Sequence, residues 1–198
     1  MSRRLVAAAA VIALVLSAAP PAEAQTGFGV RAASIAVNGD YIEMDPALAY
    51  GAHVSLGFIP FLKLQVGAEY LSGTATYNYT PSIPAAEVES DFKNIGVFLD
   101  VRKPIGLIPL FPLKLVVGGG LNYNLMSYVD QATFDTPPAG GLSVDDFTQM
   151  GWHAMAGLLF KPPVLPFTIT AEYRLQTIKL TDDTVKNNGF VIGLTFGF

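Results

Sequence analysis

The stretch Phe190-Val191-Ile192-Gly193-Leu194-Thr195-Phe196-Gly197-Phe198 decides the fold. Phe190, Ile192, Leu194, Phe196 and Phe198 occupy every second position, with Val191, Gly193, Thr195 and Gly197 between them. In an extended chain successive side chains point to opposite faces, so this is a strand with one apolar face and one small or polar face. The period recurs upstream. Phe167, Ile169, Ala171, Tyr173 and Leu175 alternate with Thr168, Thr170, Glu172, Arg174 and Gln176. Leu62, Leu64, Val66, Ala68 and Tyr70 alternate with Lys63, Gln65, Gly67 and Glu69. Leu48, Tyr50, Ala52, Val54 and Leu56 alternate with Ala49, Gly51, His53, Ser55 and Gly57.

Four further segments carry the pattern less regularly. They are Phe28 to Val37; Asp91 to Arg102, with Ile95, Val97, Leu99 and Val101 outward; Leu113 to Met126, with Leu115, Val117, Leu121 and Tyr123 outward; and Met150 to Lys161, with Trp152, Ala154, Ala156, Leu158 and Phe160 outward. The total of eight strands, each near the ~9–11 residues that cross a bilayer at a tilt, predicts an all-β, antiparallel, up-and-down transmembrane barrel. The connections alternate in length. Asn38–Pro46, Gly73–Ser90, Tyr128–Phe147 and Lys179–Asn188 read as long polar loops. Ile59-Pro60, Lys103–Pro112 and Pro162–Pro166 read as turns. Long loops on one side and turns on the other are the asymmetry of outer-membrane barrels, with both chain ends on the turn, periplasmic side.

Composition agrees. Hydrophobic residues make up 51% and charged residues 14%, with a mean hydropathy of +0.41; a soluble domain carries about 25% charge. The one long apolar run, Leu5 to Leu16, follows Ser2-Arg3-Arg4 and precedes Ala22-Glu23-Ala24. It is shorter than the roughly 20 residues of a spanning helix and has the layout of a cleavable export signal. The expected organisation is a signal peptide over residues 1–24 and a barrel domain over 25–198. Removing Arg3, Arg4 and Glu23 moves the net charge from −4 to −5, a balance unsuited to nucleic acid. Without cysteine there are no disulfides and no lipid-modified cysteine.

Alternation alone fits a soluble barrel too, but with the apolar face inward. Here one face collects Arg31, His53, Lys63, Glu69, Asp100, Arg102, Lys114, His153, Lys161, Glu172 and Arg174 together with most strand glycines, and the other is almost free of charge. Small residues beside long charged ones suit a narrow interior, so the apolar face is expected to meet lipid. Tyr50, Tyr70, Tyr123, Trp152 and Tyr173 lie toward the long loops, and Phe58, Phe61, Phe160, Phe167, Phe196 and Phe198 toward the turns, as two interfacial belts.

With its alternating C-terminal strand ending in Phe198, the chain resembles the small eight-stranded outer-membrane barrels of the OmpX and OmpA-transmembrane-domain type. The resemblance covers the mature chain as architecture. It implies that Phe196 and Phe198 form a signal read by the barrel-assembly machinery; unlike full-length OmpA-like proteins, the chain is expected to carry no peptidoglycan-binding domain.

Inside the barrel the candidate site is a lumen charge cluster: Arg31, Glu69, Asp100, Arg102, Glu172 and Arg174. Arg31, Glu69, Glu172 and Arg174 are expected at mid-depth, and Asp100, Arg102, Lys63 and Lys114 nearer the periplasmic mouth. Buried charges persist when paired, so a salt-bridged filling is favoured over an ion path. His53 and His153 point inward without metal-ligand spacing and read as hydrogen-bonded filler. Acidic residues crowd the loops, among them Asp40, Glu43, Asp45, Glu87, Glu89, Asp130, Asp135, Asp145 and Asp146, without the spacing of a calcium loop. The apolar segment Ile105–Pro112 has no assigned role. The expectation is a non-enzymatic, monomeric outer-membrane barrel of a Gram-negative-type cell, without cofactor or metal. Its role would be structural or surface-interacting through its loops, among outer-membrane lipid and lipopolysaccharide. The alternative is a narrow channel for small solutes or ions; a lipid-modifying enzyme ranks last.

Overall fold

A computed structural model describes residues 26–40, 42–59, 62–78, 87–106, 112–129, 144–179 and 184–197. The proposed signal peptide, residues 107–111 of the apolar segment, and Phe198 lie outside them. Eight strands run in chain order: β1 (Gly27–Asn38), β2 (Ile42–Ile59), β3 (Leu62–Asn78), β4 (Glu87–Gly106), β5 (Leu113–Val129), β6 (Val144–Phe160), β7 (Phe167–Lys179) and β8 (Thr184–Gly197). Each pairs antiparallel with its neighbours, and β1 closes the barrel on β8, from Gly27 opposite Gly197 to Asn38 opposite Lys186. The all-β, eight-stranded, up-and-down barrel expected from the alternation is the observed fold, and closure leaves no free sheet edge. The turn end holds Gly27, Gly197 and the connections β2–β3, β4–β5 and β6–β7; the loop end holds the other four.

The outer wall is apolar over a band. Val30, Leu48, Tyr50, Leu121, Met150, Trp152, Leu175, Phe190 and Ile192 are each more than half exposed (52–69%). A contiguous apolar surface of that kind requires a lipid rather than an aqueous exterior. On β3 the band runs from Leu62 to Tyr70, roughly 20 Å of depth at ~3.3 Å per residue and a tilt of ~40°. Tyr50 and Tyr70 lie 5.6 Å apart at its upper rim, where Phe190 joins Tyr173 at 5.1 Å; Phe28 and Phe196 stack at 5.6 Å at its lower rim. Phenylalanine is therefore not confined to the turn end.

The strands run well past this band, which corrects the loop assignments. Most of Gly73–Ser90 is strand: Tyr77 opposes Val88 and Asn78 opposes Glu87. β5 and β6 pair out to Val129 opposite Val144, and β7 and β8 to Lys179 opposite Thr184. At the turn end Ile105 and Gly106 continue β4, opposite Leu115 and Lys114.

The reason is an exchange of the two faces. On β3 the outward residues read Leu62, Leu64, Val66, Ala68, Tyr70 and then Ser72, Thr74, Thr76. The inward ones read Gln65, Gly67, Glu69 and then Leu71, Ala75, Tyr77, the last three buried. On β4 the outward Ile95, Val97, Leu99 and Val101 follow Glu89, Asp91 and Lys93, while inward Phe92 precedes Asn94. Within the band the wall is polar-in and apolar-out; beyond it, apolar-in and polar-out, as a water-facing barrel must be.

β2 reaches the same result by a bulge. Between Glu43 and Ala49 it advances six residues while β3 advances five, from Thr76 to Leu71. The extra residue falls at Asp45-Pro46, where Pro46 has no N–H for a ladder. It turns Ile42 and Met44 inward and Leu48 and Tyr50 outward. A second irregularity between Leu56 and Ile59 accompanies Leu56, expected on the lipid face but buried.

Candidate functional site in the barrel lumen

The lumen is layered. At the loop end Ile35, Val37, Ile42, Met44, Leu71, Tyr77, Phe92, Met126, Ile178 and Val185 form a dry apolar plug, each at most 3% exposed. The interior is thus not polar throughout, as the charged set had suggested. Below the plug lies an amide layer: Asn94 and Gln176 each donate an Nδ2 or Nε2 hydrogen to Asn124 Oδ1, both at 3.2 Å.

Beneath it the six charged residues singled out from the sequence meet in one network with His153. Arg174 donates through Nη1 and Nη2 to the two oxygens of Glu69, at 3.1 and 2.5 Å. Glu69 Oε2 also lies 2.9 Å from Arg31 Nε, and Arg31 Nη1 lies 3.9 Å from Asp100 Oδ2. Asp100 accepts from Arg102 Nη2 at 3.3 Å and from His153 Nε2 at 2.6 Å. Arg102 Nη1 donates to Glu172 Oε1 at 2.6 Å. The path leaves β7 at Arg174, crosses to β3, β1 and β4, and returns to β7 at Glu172, tying opposite walls together. Asp100 and Arg102 belong to this cluster, not to a separate group at the mouth. Asp100 is fully buried and meets three cationic or donor groups, and two of its oxygens' three contacts come from strands other than its own.

Register explains how so narrow a lumen holds them. Arg31 sits between Gly51 and Gly193 in the adjoining strands, and Glu69 between Gly51 and Gly96. Gly120 adjoins Asp100, Gly118 adjoins Arg102, and Gly157 adjoins Glu172. A Cβ at Gly157 would stand 2.5 Å from the Glu172 Cα. Sequence reasoning missed Phe98, which faces inward with the Arg31 guanidinium carbon 3.4 Å from its ring centroid, a cation–π contact. Alternation alone offered the signal, since Phe98 shares parity with Gly96 and Asp100. Beside the network a cavity of about 20 Å³ is lined by Arg31, Glu69, Asn122, His153 and Arg174. It has room for one water, and both amide atoms of Asn122 lack a protein partner.

Below the network His53 Nε2 lies 2.9 Å from Thr195 Oγ1, a base-and-hydroxyl pair, but His53 Nδ1 meets no orienting group. A nucleophilic triad needs that third member. Lys63 is half-buried at the turn-end mouth; Lys114 and Lys161 are exposed there rather than inside, Lys161 just past the end of β6. No group of three or more metal-ligating side chains occurs among the described residues. Phe196 is outward and half-buried between Phe28 and Phe167.

The chain matches the family model of the outer membrane protein beta-barrel domain over residues 6–198. Among solved structures it is similar to Neisserial surface protein A (NspA), at 18% identity and a TM-score of 0.63, covering 87% of this chain and 97% of that one. The N-terminal barrel of Pseudomonas aeruginosa OprF aligns at 14% identity and a TM-score of 0.48, over 88% and 100% of the two chains. Ail, the attachment invasion locus protein of Yersinia pestis, aligns at 18% and 0.48, over 88% and 99%. None of the curated protein sequences matches.

Proposed function

The chain belongs to the outer membrane protein beta-barrel family, and from that premise we propose a closed, non-enzymatic outer-membrane barrel that serves as a rigid stake for its loop-end hairpins. The observation that carries this is the lumen. A dry apolar plug crosses the loop end, and a network of three arginines and three carboxylates fills the middle. In this reading both layers oppose a water path, because each is costly to open: one exposes apolar surface, the other separates buried ions. What remains free to act is the outer face beyond the lipid band, where Glu43, Asp45, Glu89 and Asp91 are exposed on strand extensions.

In this proposal the first 24 residues direct export, both ends of the barrel face the periplasm, and Phe196 with Phe198 is read by the assembly machinery. The monomer sits among lipid and lipopolysaccharide with its acidic hairpins outside. The test is single-channel recording of the refolded protein in planar bilayers. A flat trace under applied voltage is expected; reproducible unitary steps would overturn the closed-barrel reading in favour of a narrow channel. Lipid A acyl chains analysed with and without expression are expected to be identical, and a changed acyl pattern would mark an enzyme.

A further inference from the structure

The turn end carries charge of one sign. Lys63, Lys103, Lys114 and Lys161 all lie at the turn end, and no Asp or Glu accompanies them among the described residues. The charges that act on Lys63 are Lys161, Lys114 and Arg102, all of the same sign. Deeper in the lumen, among the described residues, Arg31, Arg102 and Arg174 are each paired with a carboxylate. A half-buried lysine facing only other cations is an unbalanced arrangement, and it surrounds a space.

That space is a cavity of about 110 Å³ at the mouth, lined by Ser55, Lys63, Lys161, Thr168 and Thr195. A smaller recess of about 40 Å³ continues inward, sharing Ser55, Lys63, Thr168 and Thr195 and ending at Gln65 and Arg102. Thr168 and Thr195 stand directly opposite each other on β7 and β8, and the Thr195 hydroxyl also meets His53 Nε2 at 2.9 Å. Arg102 is 7% exposed, and its Nε, unlike its two Nη atoms, has no partner. The outer cavity has room for several waters or one small tetrahedral anion. Two lysines and hydroxyl-bearing side chains around the outer cavity, with a guanidinium N–H at the recess behind it, are the donor set that binds an oxyanion.

We propose that the turn-end mouth is a binding site for a phosphate-class oxyanion, held by Lys63 and Lys161 with Thr168 and Thr195 and backed by Arg102. The anion supplies the charge that this end lacks. Two sources carry the chemistry: a free oxyanion in the adjoining aqueous compartment, or the phosphodiester headgroup of a lipid in the near leaflet. The site stands whether or not the hairpins at the other end bind anything.

The experiment is a titration of inorganic phosphate into the full barrel in maltoside micelles, which carry no phosphate, followed by NMR of lysine Nζ and threonine methyl groups. Saturable shifts confined to Lys63, Lys161, Thr168 and Thr195 are expected. K63Q/K161Q is expected to weaken binding roughly tenfold or more, as the loss of two charge-assisted contacts implies. Both substitutions lie outside the plug and the ion network, and unchanged heat-modifiable migration checks the fold. Shifts that stay linear in phosphate, or that the double variant leaves unaltered, would overturn the site. A second arm uses phosphatidylglycerol nanodiscs without added phosphate. Resonances already at their bound positions there assign the anion to the headgroup; resonances at free positions that move on adding phosphate assign it to the soluble ion.

Discussion

Glu69 is the residue on which the lumen network depends most, because two arginines from different strands, Arg31 and Arg174, share its carboxylate. Glu69→Leu leaves both buried without their partner, and removing one member of a buried ion set costs about 3–5 kcal/mol. Urea unfolding of the variant in micelles is expected to show a loss of that order, whereas Lys114→Gln at the exposed rim is expected to stay within about 0.5 kcal/mol of the native protein. Equal stability of the two variants would mean that the network adds nothing. The six charged positions were legible in the sequence because each falls on the polar parity of an alternating strand, among glycines on β1, β3 and β4 and among Thr170 and Gln176 on β7. Their pairing was not. Arg102 reaches Glu172, on a strand three places away around the barrel, and only closure brings those side chains within 2.6 Å. Phe98 escaped for a related reason: an aromatic on the polar face looks misplaced until a guanidinium stands over it.

Strand by strand, the informative feature is the exchange of faces at the band's upper edge. It yields paired expectations on one face of β3. Val66→Arg places a charge in the lipid band, at roughly 2–4 kcal/mol near mid-depth; Thr74→Arg places it beyond the band, in water. Val66→Arg is expected to lower the folded, heat-modifiable fraction, and Thr74→Arg to leave it at the native level. If both insert normally, the outer face is not divided as described. The plug offers a second check. Ile35, 1% exposed, packs inside at the loop end, and Ile35→Ala is expected to cost about 2–5 kcal/mol in the same unfolding assay. A loss below 1 kcal/mol would mean that the layer is loosely packed. This exchange is also why the strand extensions read as loops. A search for alternation of constant phase stops where hydroxyl and acidic residues replace leucine on the outer face, although on β3 and β4 the period of two continues unbroken beneath.

Across the whole molecule charge and polarity are graded: acidic hairpins, an apolar plug, a neutral ion network, a lysine-lined mouth. Such a layout leaves the two ends with different surface chemistry across one continuous wall. Assembly is tested at this scale too. Deleting Phe198 is expected to lower the amount of barrel recovered from the outer membrane, and an unchanged yield would remove the case for a C-terminal targeting signal. The strand number, the antiparallel order, the lipid-facing set apart from Leu56 and the parity of the charged residues were determined by the sequence, because a period of two is a local property of the extended chain. The length of the strands, the phase change made by the bulge at Asp45-Pro46, the apolar plug and the ion path from Arg174 round to Glu172 were decided by the tertiary structure. Each depends on which residues meet across a closed lumen, and that is set by the register of eight strands together rather than by any one of them.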